Sequence, residues 1–291
     1  DIQYYRHHVS VNETVRKWAG DWIDQNTPPE SRVFTSNSGL GAVGLYCHRF
    51  VRDEAGLINA NIHPYLLGFS QGFHHWFKML EYMKAQRIDY LTTLPPYGTD
   101  TRHTQTVAEF QDPSLKGTLL ERMSRIRISR FIAPENYDLW AEYEKEAEFV
   151  DRAPQPATEN RVQVTRWNEI PVLAIRTLSH QADIRQRMLF PTHAHFTAGI
   201  AFDSEREFSA DDRVIVEIKV NYTEGPKLIW SKTYSLQSIT KLKPIENLDI
   251  DLTPYSGKYA YLLFGTRSLG ANADGVWSGW LEPKLVSVPT P

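Results

Sequence analysis

Apolar residues in the first half of the chain recur at helical spacing, broken by short strand-like runs. Val11, Val15, Trp18 and Trp22 fall at i, i+4, i+7 and i+11 behind Ser10-Val-Asn-Glu13, a capping box. Pro28-Pro29 stops the run, so a helix is predicted to about Asn26. Phe73, Trp76, Phe77, Leu80 and Met83 mark a second amphipathic helix ending at Gln86. Strand-like runs lie at 32–35, 49–53, 88–94, 126–132 and 137–143, with a Gly-rich turn leading into 40–46. Helix and strand alternating across short loops predict an α/β domain, a mostly parallel sheet with flanking helices.

Beyond residue 160 the period changes. Segments 162–167, 172–177, 184–190, 196–202, 214–220, 228–234 and 258–264 all read as strands, with no helical stripe among them. Val214, Val216, Ile218 and Val220 alternate against Ile215, Glu217 and Lys219, which is a strand with one buried and one wetter face. An all-β jelly-roll sandwich follows. The polar, Pro-containing stretch 153–160 follows a charged segment and reads as a linker. The expected organisation is therefore an α/β domain over 1–150, a linker over 151–160 and a sandwich over 161–291.

Composition narrows the chemistry. A formal net charge of −3 with no basic cluster excludes nucleic acid as an expected partner. Cys47 is the single cysteine, so neither a disulfide nor a multi-Cys metal site is available; it reads as a buried structural thiol. No apolar run approaches the roughly 18 residues of a membrane helix.

Gly39-Leu-Gly41-Ala-Val-Gly44 is a literal G-x-G-x-x-G after a strand. A dinucleotide site needs an acid about 20 residues on, beyond a full helix and a second strand. Asp53 stands only 14 residues after Gly39, so the run reads as a structural strand–turn–helix connection. A nucleotide-dependent enzyme is the weakest of the readings weighed. His193-Ala-His195 on a strand would form half a metal site, but no third ligand accompanies it; His7-His8 and His74-His75 point apart on regular elements. Asp203-Ser-Glu205 and Asp211-Asp212 read as solvated acids. No metal, no cofactor and no catalytic residue are assigned.

With aromatics at 12% and eight Trp, some rings belong to the surface. A ring stacks on a sugar's C–H face while polar neighbours bond its hydroxyls. Trp230, Tyr234, Arg267, Asn272, Asp274 and Trp277 are the carbohydrate-binding candidates; Trp280 reads as packed.

Two resemblances extend this reading. Trp22-Ile-Asp-Gln-Asn-Thr-Pro-Pro, Gly39-Leu-Gly-Ala-Val-Gly-Leu-Tyr46, Arg49-Phe-Val-Arg-Asp53-Glu-Ala-Gly56-Leu57 and Arg87-Ile-Asp89-Tyr90 stand in a familiar order. Over about residues 10–95 the chain resembles the C-terminal extracytoplasmic domain of GT-C membrane glycosyltransferases of the dolichyl-phosphate-mannose protein mannosyltransferase type. One departure is that Ser36-Asn37-Ser38 replaces that family's turn Asp. The family's catalytic carboxylates lie in a loop among membrane helices, so the resemblance implies a non-catalytic part of a bacterial lipid-linked-sugar transferase. That part would be tethered outside the cytoplasm by helices of its own parent chain. Asp53 and Asp89 are then a strand-end and a turn residue.

Pro171-Val-Leu-Ala-Ile-Arg176, Leu248-Asp-Ile-Asp-Leu-Thr-Pro-Tyr-Ser-Gly257 and Trp277-Ser-Gly-Trp280-Leu-Glu-Pro283 resemble, over about 160–288, the jelly-roll, galactose-binding-like modules of bacterial surface glycosylation proteins. Such a module implies a glycan or glycolipid acceptor as partner and allows a structural calcium without assigning its ligands. The rival to a transferase part is a freestanding secreted carbohydrate-binding protein.

Overall fold

The computed structural model describes residues 12–36, 40–54, 60–62, 65, 73–93, 102–117, 121, 124–146, 148–151, 161–203, 206–223, 225–270 and 272–289. The chain divides into two compact units, Asp1–Ala133 and Pro134–Pro291. Most of the expected linker, 152–160, lies outside the described residues, as do His7, His8, Ser10, Asn37-Ser38, Gly39 and Glu205.

In the first unit a π-helical turn, Asn12–Arg16, runs into α1 (Lys17–Asn26). β1 (Arg32–Thr35), α2 (Leu40–Cys47), β2 (Phe50–Asp53), α3 (Phe73–Ala85), β3 (Tyr90–Thr93), β4 (Thr104–Gln111) and β5 (Arg125–Phe131) follow. The sheet order is β2-β1-β3-β5-β4. β1 pairs in parallel with β2 and β3, but β3–β5 and β4–β5 are antiparallel. The mostly parallel sheet expected from the sequence is therefore corrected to an evenly mixed one. β4 had no expectation at all, because Thr-Gln-Thr-Val-Ala-Glu-Phe-Gln is an edge strand with mainly exposed positions and hence little apolar alternation.

Val15, Ala19 and Ile23 pack with Val33, Val43, Cys47, Ile126 and Ile128. Burial pushes the Cys47 thiol up, as an inert structural thiol requires. Asp89 holds backbone, accepting the Arg32 N–H on its carboxylate at 2.8 Å and giving its own N–H to Arg32 O at 2.9 Å. Asp53 ends β2 and is buried.

The second unit starts earlier than expected. Residues 137–143, expected as a strand, become β6 (Asn136–Asp138) and α4 (Leu139–Glu146). The physical reason is the Asp138 side chain, which accepts the N–H groups of Trp140 and Ala141 at 3.1 and 3.2 Å and so caps the helix. β7 (Glu148–Asp151) then pairs with a sandwich strand, and Tyr137 and Leu139 enter the sandwich core. The boundary thus sits before β6, not at 151–160.

β8 (Val162–Trp167), β9 (Ile170–Arg176), β10 (Ala182–Leu189), β11 (Ala194–Asp203), β12 (Arg213–Asn221), β13 (Pro226–Ser235), β14 (Glu246–Asp251), β15 (Tyr259–Leu269) and β16 (Trp277–Ser287) complete it. They form two sheets, β13-β12-β15-β10-β7 and β14-β11-β16-β9-β8, with β6 beside β16. From β9 onward the chain repeatedly changes sheet, which closes a β-sandwich in the jelly-roll manner. Every paired strand of the sandwich is antiparallel. The core centres on Phe196, Phe264 and Trp280, with ring centroids 5.2–5.8 Å apart. Trp280 is fully buried, as expected. No helix among the described residues is long and apolar enough to cross a membrane.

Candidate functional site

The outer face of the β11/β16/β9 sheet carries a second apolar cluster. Trp167, Val172, Ala174, Ala201 and Leu281 form it, with Trp277 packed against it. Cross-strand partners point to one side of a sheet, so register reads directly as a surface map. One row is Arg176–Trp277–Asp203, and the next is Ala174–Gly279–Ala201. The small residues of the second row leave a trough that the Trp167 indole fills. A Cβ built on Gly279 would overlap Trp167 Cζ3 and lie 2.6 and 2.9 Å from Cη2 and Cε3. Trp277 is half-buried, bedded on this cluster and flanked by a guanidinium and a carboxylate.

The loop from β15 to β16 frames that ring. Arg206 Nη1 donates to Asp274 O at 2.7 Å, and the Ser268 hydroxyl donates to the Asp274 carboxylate. Gly275 N–H donates to Thr177 O at 2.8 Å, and the Thr177 and Ser278 hydroxyls meet at 2.7 Å. Asp212 ties the loop down by accepting the Asn272 N–H and amide at 3.1 and 3.3 Å, together with Ser209 N–H and hydroxyl. These donors, the Ser209 N–H first, hold the Asp212 carboxyl below the usual range. Lys241 meets Asp203 at 3.2 Å. Beside them opens a cleft of about 340 Å³ with an apolar floor of Phe202, Phe208, Leu236 and Ile239 and a rim including Arg206, Gln237 and Lys241.

The six expected residues are thereby separated. Asn272, Asp274 and Trp277 gather at this end of the sandwich. Arg267 is exposed on β15 and pairs with Ile215, on the outer face of the opposite sheet. Tyr234 is corrected from a surface ring to a core residue, 7% exposed, whose hydroxyl donates to Glu246 at 2.8 Å. Burial, then that carboxylate, raises its pKa. Trp230 is half-buried against the same core, next to a β-bulge at Ile229. Lys232 joins Glu246 at 2.5 Å, so Lys232, Tyr234 and Glu246 clasp β13 to β14 across the sandwich edge.

Sequence reasoning missed Trp167, Arg176, Asp203, Arg206 and Lys241 as neighbours of Trp277. Strand register alone brings the first three to one face, and no local spacing reports it. The His193/His195 half-site is not formed as a strand face: His193 takes a left-handed φ of 47° before β11 begins, and His195 Nδ1 lies 2.7 Å from Asp249. Among the described residues no group of three His, Cys, Asp or Glu could hold a metal.

The half-buried Trp277 ring thus lies with polar flanks on the outer face of an antiparallel β-sandwich. Residues 3–165 match the family described as Domain of unknown function (DUF8728), and the chain belongs to that family. No curated protein matches the sequence. Among solved structures, the chain is similar to the N-terminal cellulose-binding domain of Cellulomonas fimi β-1,4-glucanase C, at 10% identity and a TM-score of 0.32, over 54% of this chain and 97% of that one. The K1 cleaved adhesin domain of Lys-gingipain from Porphyromonas gingivalis W83 is similar at 10% identity and a TM-score of 0.36, over 53% and 98%. TmCBM61, solved in complex with β-1,4-galactotriose, is similar at 10% and 0.25, over 50% and 84%. Overlaps this loose carry no functional weight.

Proposed function

We propose that the sandwich binds carbohydrate, with Trp277 as the stacking surface and its polar neighbours bonding the hydroxyls. The observation that carries this is the register row Arg176–Trp277–Asp203, which sets an indole between a donor and an acceptor on one sheet face. Sugar hydroxyls give up water for each protein hydrogen bond gained, so affinity is modest. Millimolar to tens of micromolar binding, about 4 to 6.5 kcal/mol, is expected. Glycan-array screening followed by calorimetry on the full chain, beside Trp277→Ala, tests it. A blank array, or unchanged binding by the folded variant, overturns the reading.

The wider setting we propose is the non-catalytic extracytoplasmic part of a lipid-linked-sugar membrane glycosyltransferase. Support comes from the sequence block around Asn26–Leu57 and Asp89-Tyr90 alone. A freestanding carbohydrate-binding protein is served equally by the Trp277 site. Reading the coding sequence upstream of Asp1 separates them: multiple hydrophobic spans support the first, and a signal peptide or start codon the second.

A further inference from the structure

We infer that the first unit holds a site of its own, for a neutral polyhydroxylated ligand, a sugar or polyol, at the carboxyl ends of β1 and β3. It uses no residue of the Trp277 platform. In the parallel part of the sheet, β2-β1-β3, the chain leaves β1 toward one side and comes back on the other. α2, on the β1–β2 connection, packs Val43 and Cys47 with Val33. α3, on the β2–β3 connection, sets Tyr82 against Phe34 with ring centroids 6.0 Å apart. Val33 and Phe34 are consecutive strand residues and face opposite sides, so the two helices cover opposite faces. The strand order therefore reverses between β1 and β3, and such a switch point leaves a crevice outside the carboxyl ends of the two strands.

Those ends carry hydroxyls. β1 ends in Thr35, followed by Ser36, and β3 ends in Thr92 and Thr93. On β1 the hydroxyls are used: Thr35 Oγ1 donates to Arg52 O at 3.4 Å, and Ser36 Oγ to Thr92 O at 3.2 Å. On β3 they are not. Thr92 and Thr93 are each 1% exposed, and neither Oγ1 has a hydrogen-bond partner among the described residues. Ser129, fully buried on the neighbouring β5 and on Thr93's face, has an equally unpartnered hydroxyl. A buried hydroxyl left unpaired costs free energy, so three gathered at one end of a sheet call for an occupant. Thr92 and Thr93 project to opposite faces, one to each lip of the crevice. A hydroxyl both donates and accepts, which matches the hydroxyls of a sugar. Charge gives an anion no advantage. Asp53 lies in the Thr35–Thr92 row, while Arg127, opposite Thr93, is held by Glu109 at 3.1 Å.

The test is calorimetry and thermal melting of the full chain carrying Trp277→Ala, which takes the sandwich platform out of the readout. Glucose, galactose, mannose and inositol are the probes, at millimolar concentration, with inorganic phosphate and AMP beside them. At least one neutral probe should bind, and Thr92→Val and Thr93→Val should each weaken it about tenfold. Without ligand the same two variants should melt about 2–4 °C above their parent, because each exchanges an unpaired buried hydroxyl for a methyl. If Trp277→Ala does not fold, the natural chain with each Thr→Val change separates the two sites, since the platform is indifferent to β3. A lower melting point for both variants, the mark of a structural water on these hydroxyls, overturns the inference. Binding of phosphate or AMP alone, or of no probe at all, overturns it too. Either result leaves the Trp277 reading to its own array test.

Discussion

Replacing Gly279 by Ala should unseat Trp167 and with it the bed of Trp277. The added methyl has nowhere to go, since three Trp167 ring carbons lie within 2.9 Å of its position. Trp167 is only 7% exposed, so tilting it away forfeits real burial. A buried Trp covers about 150–250 Å², worth about 4–6 kcal/mol at 25 cal/mol/Å² if lost entirely. Partial accommodation of an extra methylene costs about 1–3 kcal/mol. Between these limits, a loss of about 1–4 kcal/mol is expected, or about 3–12 °C in melting temperature for a domain of this size. Calorimetric melts of Gly279→Ala, Trp167→Ala and the double variant provide the assay. With the indole gone the added methyl should be neutral or slightly favourable, because Gly weakens a strand interior. The coupling between the two changes should then reach about 1–4 kcal/mol. A Gly279→Ala chain melting within about 1 °C of its parent in both backgrounds would refute the close approach.

Two further predictions use the core and the loop. Trp280→Ala should cost about 3–5 kcal/mol, whereas Trp280→Phe should cost less than half as much. The phenyl ring removes an indole N–H that is buried without a hydrogen-bond partner among the described residues; equal losses for the two variants would show that this N–H is satisfied. Asp212 has a folded pKa below its unfolded one, so its contribution is full above the ordinary carboxylate range and is lost as pH falls through the depressed value. The melting gap between the natural chain and Asp212→Asn should therefore be widest near neutrality and close on acidification toward pH 3; a constant gap would contradict that sign.

The strands legible in the sequence were those with one clean face. Val214 to Val220 alternates because β12 runs between two strands, with one face on the core. β4 and β7 lacked that alternation, being edge strands whose polar positions look like loop. Parallel or antiparallel pairing of β5 was not legible, since both directions bury Ile126 and Ile128 alike. Trp277 was singled out as a candidate by its polar surroundings in sequence, and Trp280 was recognisable as core from its motif. The register neighbours of Trp277 were not legible, because Arg176 and Asp203 stand far from it in sequence and reach it only through strand pairing. Tyr234 shows the converse: an aromatic among polar residues looked exposed, but its strand parity with Val214 turns it inward.

The clasp between β13 and β14 also bears on how copies of the chain behave toward one another. Among the described residues β13 is the last strand of its sheet, with backbone groups on one side that a neighbouring chain could join. The bulge at Ile229 interrupts the regular ladder, Pro226 withholds a donor at its start, and Lys227 and Lys232 put charge along the rim. Glu246, reaching across from the other sheet, anchors Lys232 and Tyr234 at that margin. Such a margin resists templated strand addition along β13. Removing the lysines and straightening the bulge would convert the same strand into a seed for aggregation.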